Sequence, residues 1–374
     1  MSIAAKSSRE RQSALRDTAL SIEAVGARAV IAPLPRPIRT AVGHVPSAPL
    51  VLIDLHTTQG VVGRSYLFAY TPLALRPLTQ LVNELGAELA GKPLAPVRLM
   101  DELDRRFRLL GWQGLVGMAV SGLDMACWDA LARARGVPVA CLLGGEPRAL
   151  PAYDSYGLVD LKADLPAIAQ SVEAGFRAIK IKIGDGDLAR DAAVVAGVRQ
   201  AIGSEITLMV DYNQSLDAVE ARRRIARLAE FDLHWVEEPV AHEDLAGHAR
   251  VRATSPVPIQ TGENWWFARD MEKAIAAGAS DCAMLDVMKI GGVTGWMRAA
   301  ALAQAASLPV SSHIFTEVSS HLITVTPGAH WLEHLDIASS ILREPHASDR
   351  GSMTARGPGF GIEWDEKAIA RYAA

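Results

Sequence analysis

Four short apolar runs end in ionisable residues: Lys180-Ile181-Lys182-Ile183, Met209-Val210-Asp211, Trp235-Val236-Glu237 and Ile259-Gln260-Thr261-Gly262-Glu263. Asp211, Glu237 and Glu263, if gathered in one volume, would push one another's pKa up unless a cation sat among them. Oxygen-only ligation, with no Cys or clustered His nearby, selects a hard divalent ion, Mg²⁺ first and Mn²⁺ second. Three protein ligands leave positions open for substrate oxygens. Taken singly, each carboxylate could be a helix N-cap or half of a surface ion pair. The even spacing of all three argues for a metal.

Lys180 and Lys182 are two apart on a strand and so share a face. Repulsion between them beside a divalent metal should lower the pKa of at least one toward neutrality and make a general base. His313 closes Pro309-Val310-Ser311-Ser312, and Asp286 closes Cys282-Ala283-Met284-Leu285 on the strand before it. An Asp there can hold the proton of one imidazole nitrogen and raise basicity at the other. Glu333 ends Trp331-Leu332 in the same manner. Lys289, three residues past Asp286, would fall on the opposite face if that strand continued, and reads as structural. His234, His242, His248 and His346 lack comparable partners and read as ordinary surface or boundary residues.

The intervals say what must position these groups. Asp211 follows Lys182 by 29 residues, Glu237 and Glu263 follow at 26 each, and Asp286, His313 and Glu333 come after 23, 27 and 20 more. Each interval holds one strand and one returning helix, which closes most naturally into a (β/α) barrel with its active site at the carboxyl ends of the strands. Strands two and seven of such a barrel are well separated, so Lys182 and His313 would approach opposite faces of one bound molecule. Upstream, Ala27 to Ile31, Leu50 to Leu55 and Val61 to Leu67 read as a three-stranded antiparallel sheet. Helical periodicity follows at Pro72 to Leu89, Val97 to Leu109 and Leu115 to Arg135. The expected fold class is α/β: a modified (β/α) TIM-type barrel over 149–342, with an N-terminal α+β capping domain over 1–148 that the tail 343–374 rejoins. The first 20 residues or so read as a polar frayed end, and residues 37–46 as a loop apolar enough to cover something.

A chain of 374 residues suits two domains. A net charge of -4, from 38 Lys+Arg against 42 Asp+Glu, offers no basic field for nucleic acid and leaves a small-molecule carboxylate as the expected partner. Cys127, Cys141 and Cys282 are an odd number in apolar surroundings, which reads as reduced thiols of a cytoplasmic protein. No apolar run looks long enough for a membrane span, and Met1 to Arg16 lacks the apolar segment of a signal peptide.

Taken together, Lys-Ile-Lys-Ile-Gly at 180–184, Asp-Tyr-Asn-Gln-Ser at 211–215, Glu-Glu-Pro at 237–239, Gly-Glu-Asn-Trp at 262–265, Met-Lys-Ile-Gly-Gly-Val-Thr-Gly-Trp at 288–296 and Ser-Ser-His at 311–313 resemble the mandelate racemase subgroup of the enolase superfamily. The resemblance implies Asp211, Glu237 and Glu263 as Mg²⁺ ligands and Lys182 and His313 as opposed acid/bases, with Asp286 behind His313. It implies Lys180 and Ser155 at the substrate carboxylate, a protonated Glu333 donating to that carboxylate, and Asn213 at the α-hydroxyl. Ile38, Val42, Val45, Tyr66, Phe68 and Tyr70 would line a pocket for an aromatic ring, completed by Ile314 and Leu335. A homo-oligomer, often an octamer, is implied too. Tyr156, Ile38 and His44 stand where the family's best-known member has histidine, valine and threonine. These departures touch the pocket and leave the acid/base set intact.

The expected enzyme is therefore an isomerase, a racemase that removes the α-proton of an aromatic 2-hydroxy acid on one face and returns it on the other through an enediolate. The alternative is a dehydratase of acid sugars, aldonate or aldarate, with the same metal and enediolate. A non-catalytic carboxylate-binding barrel is a third reading, opposed by the presence of every acid/base position.

Overall fold

The computed structural model describes residues 20–41 and 43–374; the polar start and Val42 lie outside the described residues. β1 (Ile22–Thr40), β2 (Gly43–Thr57) and β3 (Val62–Phe68) form an antiparallel sheet in the order β1-β2-β3. The helices Pro72–Leu89, Pro96–Arg106 and Leu115–Arg133 follow it. Gly63 lets β3 and the last of these come together, because a Cβ there would meet the Ala126 carbonyl oxygen at 2.1 Å.

Helix Leu115–Arg133 corrects the expectation about apolar runs. By length and composition it could cross a membrane, but 78% of its apolar window is buried inside the protein. It is the central helix of the cap.

β4 (Leu150–Leu158), β5 (Ala178–Lys182), β6 (Thr207–Asp211), β7 (Leu233–Glu237), β8 (Ile259–Thr261), β9 (Cys282–Asp286), β10 (Val310–His313) and β11 (Leu332–His334) form one parallel sheet. β11 pairs with β4, and a parallel bridge between Val310 and Ala329 brings its lead-in against β10, so the sheet curls into a barrel. Helices such as Leu161–Glu173 and Leu188–Ile202 return between the strands. β12 (Ser352–Met353) adds antiparallel to β4, which the sequence reading did not foresee. The C-terminal stretch returns to the cap: Arg133 and Arg64 each bond Glu363, and the helix Glu366–Tyr372 ties to Arg28 through Glu366.

The interior of the barrel is built in two layers. Tyr153, Ala178, Met209, Trp235 and Met284 pack together as an apolar floor, with Trp331 against them. Two residues further along the same strands stand Ser155, Lys180, Asp211, Glu237, Asp286 and Glu333. A strand's period of two puts both sets on the inner face, so each titratable group rises from an apolar footing.

Residues 37–46 are not a free loop. Ile38 pairs with Val45, Arg39 with His44 and Thr40 with Gly43, beyond an irregular break between Pro33 and Ile38. Cys127 and Cys282 are buried, Cys141 is partly buried, and none is in a disulfide.

Candidate active site

The carboxyl ends of the barrel strands leave their ladders abruptly. Asn213, Glu238 and Ile314 have positive φ of 43°, 34° and 38°, each within two residues of Asp211, Glu237 or His313. Gly262, at φ 133°, precedes Glu263. Non-glycine residues in this region are strained, and such strain clusters where side chains are aimed at a site.

Asp211, Glu237 and Glu263 each offer an oxygen within 4.8 Å of the others, and all three are buried. Burial, together with Asp211 and Glu263, pushes the Glu237 carboxyl well up despite Lys180. Burial acts the same way on Glu263, but His313, Lys182 and Lys289 hold it below the usual carboxylate range. Glu263 Oε2 is a buried oxygen that accepts no hydrogen bond. Three crowded carboxyls, one penalised for ionising and one with a free lone pair, fit a divalent cation with oxygen preference.

Lys180 lies between two acids, 3.0 Å from Glu237 Oε2 and 2.8 Å from Glu333 Oε1. Lys182 is ion-paired with Asp211. Burial works to lower both ammonium groups, but the surrounding carboxylates outweigh it and hold both above the ordinary lysine value. Among the protein's own groups the nearest charges are acidic side chains, and these dominate the field of the other lysine; the expected downward shift refers to the site with a cation among those carboxylates.

Glu333 accepts from the Ile314 N–H at 2.9 Å as well as pairing with Lys180. Burial raises its carboxyl, yet Lys180, His313 and these hydrogen bonds hold it down to about 2. Among the protein's own groups both neighbours at its oxygens are donors, which favours the carboxylate form; the expected protonated Glu333 refers to the site loaded with metal and substrate.

His313 Nδ1 lies 2.7 Å from Asp286 Oδ2, and its Nε2 lies 3.2 Å from Glu263 Oε2. The backbone N–H groups of Met288 and Lys289 donate to Asp286 Oδ1 at 2.7 and 3.1 Å, fixing the carboxylate. Burial lowers the imidazole, but Glu263 and Asp286 together raise it above its ordinary value.

Lys182 and His313 face a common cavity of about 430 Å³, along with Asn213 and Glu263. Ile38, Val45, Phe68, Tyr70, Ile314 and Leu335 line the same cavity, so most of the expected apolar wall is there. Two residues expected to meet the substrate stand elsewhere, Tyr66 from the apolar wall and Ser155 from the carboxylate end. Tyr66 is fully buried behind the wall and donates to Glu317 Oε2 at 2.6 Å. Ser155, whose Oγ is buried without a partner, lines an adjoining cavity that shares Ile38 and Leu335.

Lys289, read from sequence as structural, lines the cavity, as do Met118 and Trp266, which the sequence reading missed. Lys289 arrives there because the chain turns after Asp286 instead of continuing as a strand; its Nζ donates to Asn264 Oδ1 at 2.6 Å and lies 4.9 Å from the Tyr70 ring centre. Gly291-Gly292, close behind, was the available sign of that turn. Met118 and Trp266 carried no signal, because an apolar residue on a cap helix or at a barrel loop looks the same whether it meets core or ligand.

Comparison with known proteins gives this geometry its context. Residues 24–144 match the mandelate racemase / muconate lactonizing enzyme N-terminal domain, and residues 164–368 match the enolase C-terminal domain-like family. The chain is 31% identical to the 3,6-anhydro-alpha-L-galactonate cycloisomerase of Streptomyces coelicolor, over 87% of this chain and 91% of the relative. It is 32% identical to the L-talarate/galactarate dehydratase of Salmonella typhimurium, over 72% of this chain and 70% of the relative. A solved enolase from Bradyrhizobium complexed with magnesium and mandelic acid superposes with TM-score 0.94 and 59% identity, covering 96% of this chain and 99% of that one. The named relatives overturn the expectation of a racemase acting on hydroxy acids, because they are a cycloisomerase and a dehydratase. The metal, the capped barrel and the acid-lined rim agree, and the chain belongs to the enolase superfamily as a magnesium-dependent member with a mandelate racemase / muconate lactonizing enzyme N-terminal domain.

Proposed function

We propose that the chain is a magnesium-dependent dehydratase of the acid-sugar class, acting on a 2,3-dihydroxy acid whose far end is apolar. The observation that carries the reading is a pair of proton carriers on non-adjacent strands, Lys182 and the Asp286-backed His313, facing one cavity beside three carboxylates. Relatives named as a dehydratase and cycloisomerases of sugar acids support the elimination chemistry.

Asp211, Glu237 and Glu263 would hold the magnesium, which when bound supplies positive charge for the substrate carboxylate as its α-carbon loses a proton. His313 Nε2 takes that proton, its Nδ1–H held by Asp286. Lys182, on the other side of the cavity, donates a proton to the departing β-hydroxyl. The C–H electron pair forms the C2–C3 double bond as the C3–O bond breaks, and the enol product becomes a 2-keto-3-deoxy acid. Lys180 stabilises the charge that builds on the carboxylate, with Glu333 orienting it, and Asn213 meets the α-hydroxyl. Ile38, Val45 and Phe68 offer no donor to the second carboxylate of an aldarate, and setting it against them is costly; within the cavity Lys289 is the cation such a group would have to reach instead. The mandelic acid held by the Bradyrhizobium relative also fits an apolar far end.

The test is a panel of aldonates, 6-deoxyaldonates and aldarates, incubated with the magnesium-loaded protein in heavy water and assayed for 2-keto acid. Keto acid from the deoxy members first supports the reading. Deuterium entering C2 without keto acid from any member refutes dehydration.

A further inference from the structure

The strand alternation that turns Ser155 and Glu333 inward turns their neighbours Asp154 and His334 outward. These two are register partners on β4 and β11, with His334 Nδ1 2.9 Å from Asp154 Oδ1. Ser171 and Tyr156 complete the barrel side: Ser171 Oγ donates to Asp154 Oδ2, and the Tyr156 hydroxyl is 2.7 Å from Ser171 Oγ. The remaining partner comes from the cap. Arg36 Nη1 and Nη2 lie 3.1 and 2.7 Å from the two Asp154 oxygens, and its guanidinium carbon lies 4.0 Å from the Tyr156 ring centre.

Arg36 sits where the cap sheet cannot hold its own tip. The β1–β2 ladder is broken between Pro33 and Ile38, and Pro33, Pro35 and Pro37 have no N–H to donate. Past the break, Ile38 and Val45 line the substrate cavity. The second tie, from Arg39 to Asp164 and the Leu158 carbonyl, joins an exposed arginine to a half-buried carboxylate and is therefore weak. Asp154, by contrast, is buried, and a bidentate guanidinium on a buried carboxylate is strong and directional.

We propose that Arg36 is a specificity-determining positioning residue: its fork on Asp154 and its face on Tyr156 hold the hairpin tip on the barrel, so that Ile38 and Val45 stand as the far wall of the substrate cavity. The proposal deepens the reading above and rests on it only for where the wall lies relative to the substrate.

The test compares wild type, Arg36→Met, which keeps the stem on Tyr156 and loses the fork, and Arg36→Lys, all magnesium-loaded. Amide hydrogen exchange in residues 34–40 should quicken by about tenfold in Arg36→Met and less in Arg36→Lys, with the rest of the chain unchanged. Binding of 3-phenyllactate, which reaches the wall, should weaken by about tenfold while binding of lactate, which does not, stays within about twofold. Unchanged exchange together with an unchanged phenyllactate-to-lactate ratio would overturn the proposal, as would faster exchange spread over the whole cap. The functional reading stands or falls on the keto-acid panel above; if the wild type binds neither probe acid, the exchange arm alone decides the role of Arg36.

Discussion

Asp286 Oδ2 stands 2.7 Å from His313 Nδ1, while the other nitrogen of that ring points toward Glu263. One imidazole thus joins a fixed carboxylate to the metal cluster. Asp286→Asn removes the acceptor that selects the tautomer, and His313→Asn removes the proton carrier. Each should lower turnover by about 10²–10⁴-fold with little change in magnesium affinity. Steady-state kinetics with a magnesium titration check this, and a fall in metal binding of the same size would assign the pair to the metal instead.

The acidic trio predicts a readout that needs no substrate. Magnesium at about 100 times its Kd should stabilise the wild type by about 2.7 kcal/mol, seen as a rise in melting temperature. Glu263→Gln should lose more than about 100-fold in affinity, since even outer partners of a metal cost that much, and its melt should ignore the ion. Chelation should abolish wild-type turnover, and Mn²⁺ should restore part of it.

Tyr66 and Glu317 make a buried pair outside the cavity. Tyr66→Phe strands the Glu317 oxygen and should cost about 1–3 kcal/mol in denaturant unfolding. The variant's KM should remain within about threefold, because wall residues, not Tyr66, meet the ligand. A large KM effect without loss of stability would return Tyr66 to the pocket.

Asp124 links the two halves through a helix end. It lies on the cap helix Leu115–Arg133 and accepts from the Thr294 N–H at 2.9 Å and from Thr294 Oγ1, in the first turn of the barrel helix Gly292–Ala305. Burial pushes its carboxyl up to about 7, against these hydrogen bonds. The unfolded value is about 3.9, so the contribution of this group is whole below about pH 4 and is lost as the pH climbs through about 7, with an upper bound of about 4 kcal/mol. Unfolding midpoints at pH 5 and pH 8 should therefore diverge more for wild type than for Asp124→Asn; equal differences would remove Asp124 as the cause.

Period and spacing made the site legible where each strand repeats one pattern. Met209 with Asp211, Trp235 with Glu237 and Met284 with Asp286 are each an apolar residue followed two places later by an acid, and this carries strand, face and rim together. The antiparallel sheet and the helix Pro72–Leu89 were equally plain, because alternation and a Thr71 cap with Pro72 at the first turn mark them. Field effects were not legible. The pairing of Lys182 with Asp211 and of Lys180 with Glu333 depends on which side chains meet across the barrel, and a linear sequence does not order them. The Arg36–Asp154 contact spans 118 positions and has no local signature at either end.

The two-storey barrel interior limits where this chain can change. One inserted residue within β6, β7 or β9 would rotate that segment by half a pleat, withdrawing an acid from the rim and burying it against helices. Substitutions that retune substrate choice therefore belong beyond the strand ends and on the cap, whose geometry can shift without dismantling the proton-handling groups beneath it.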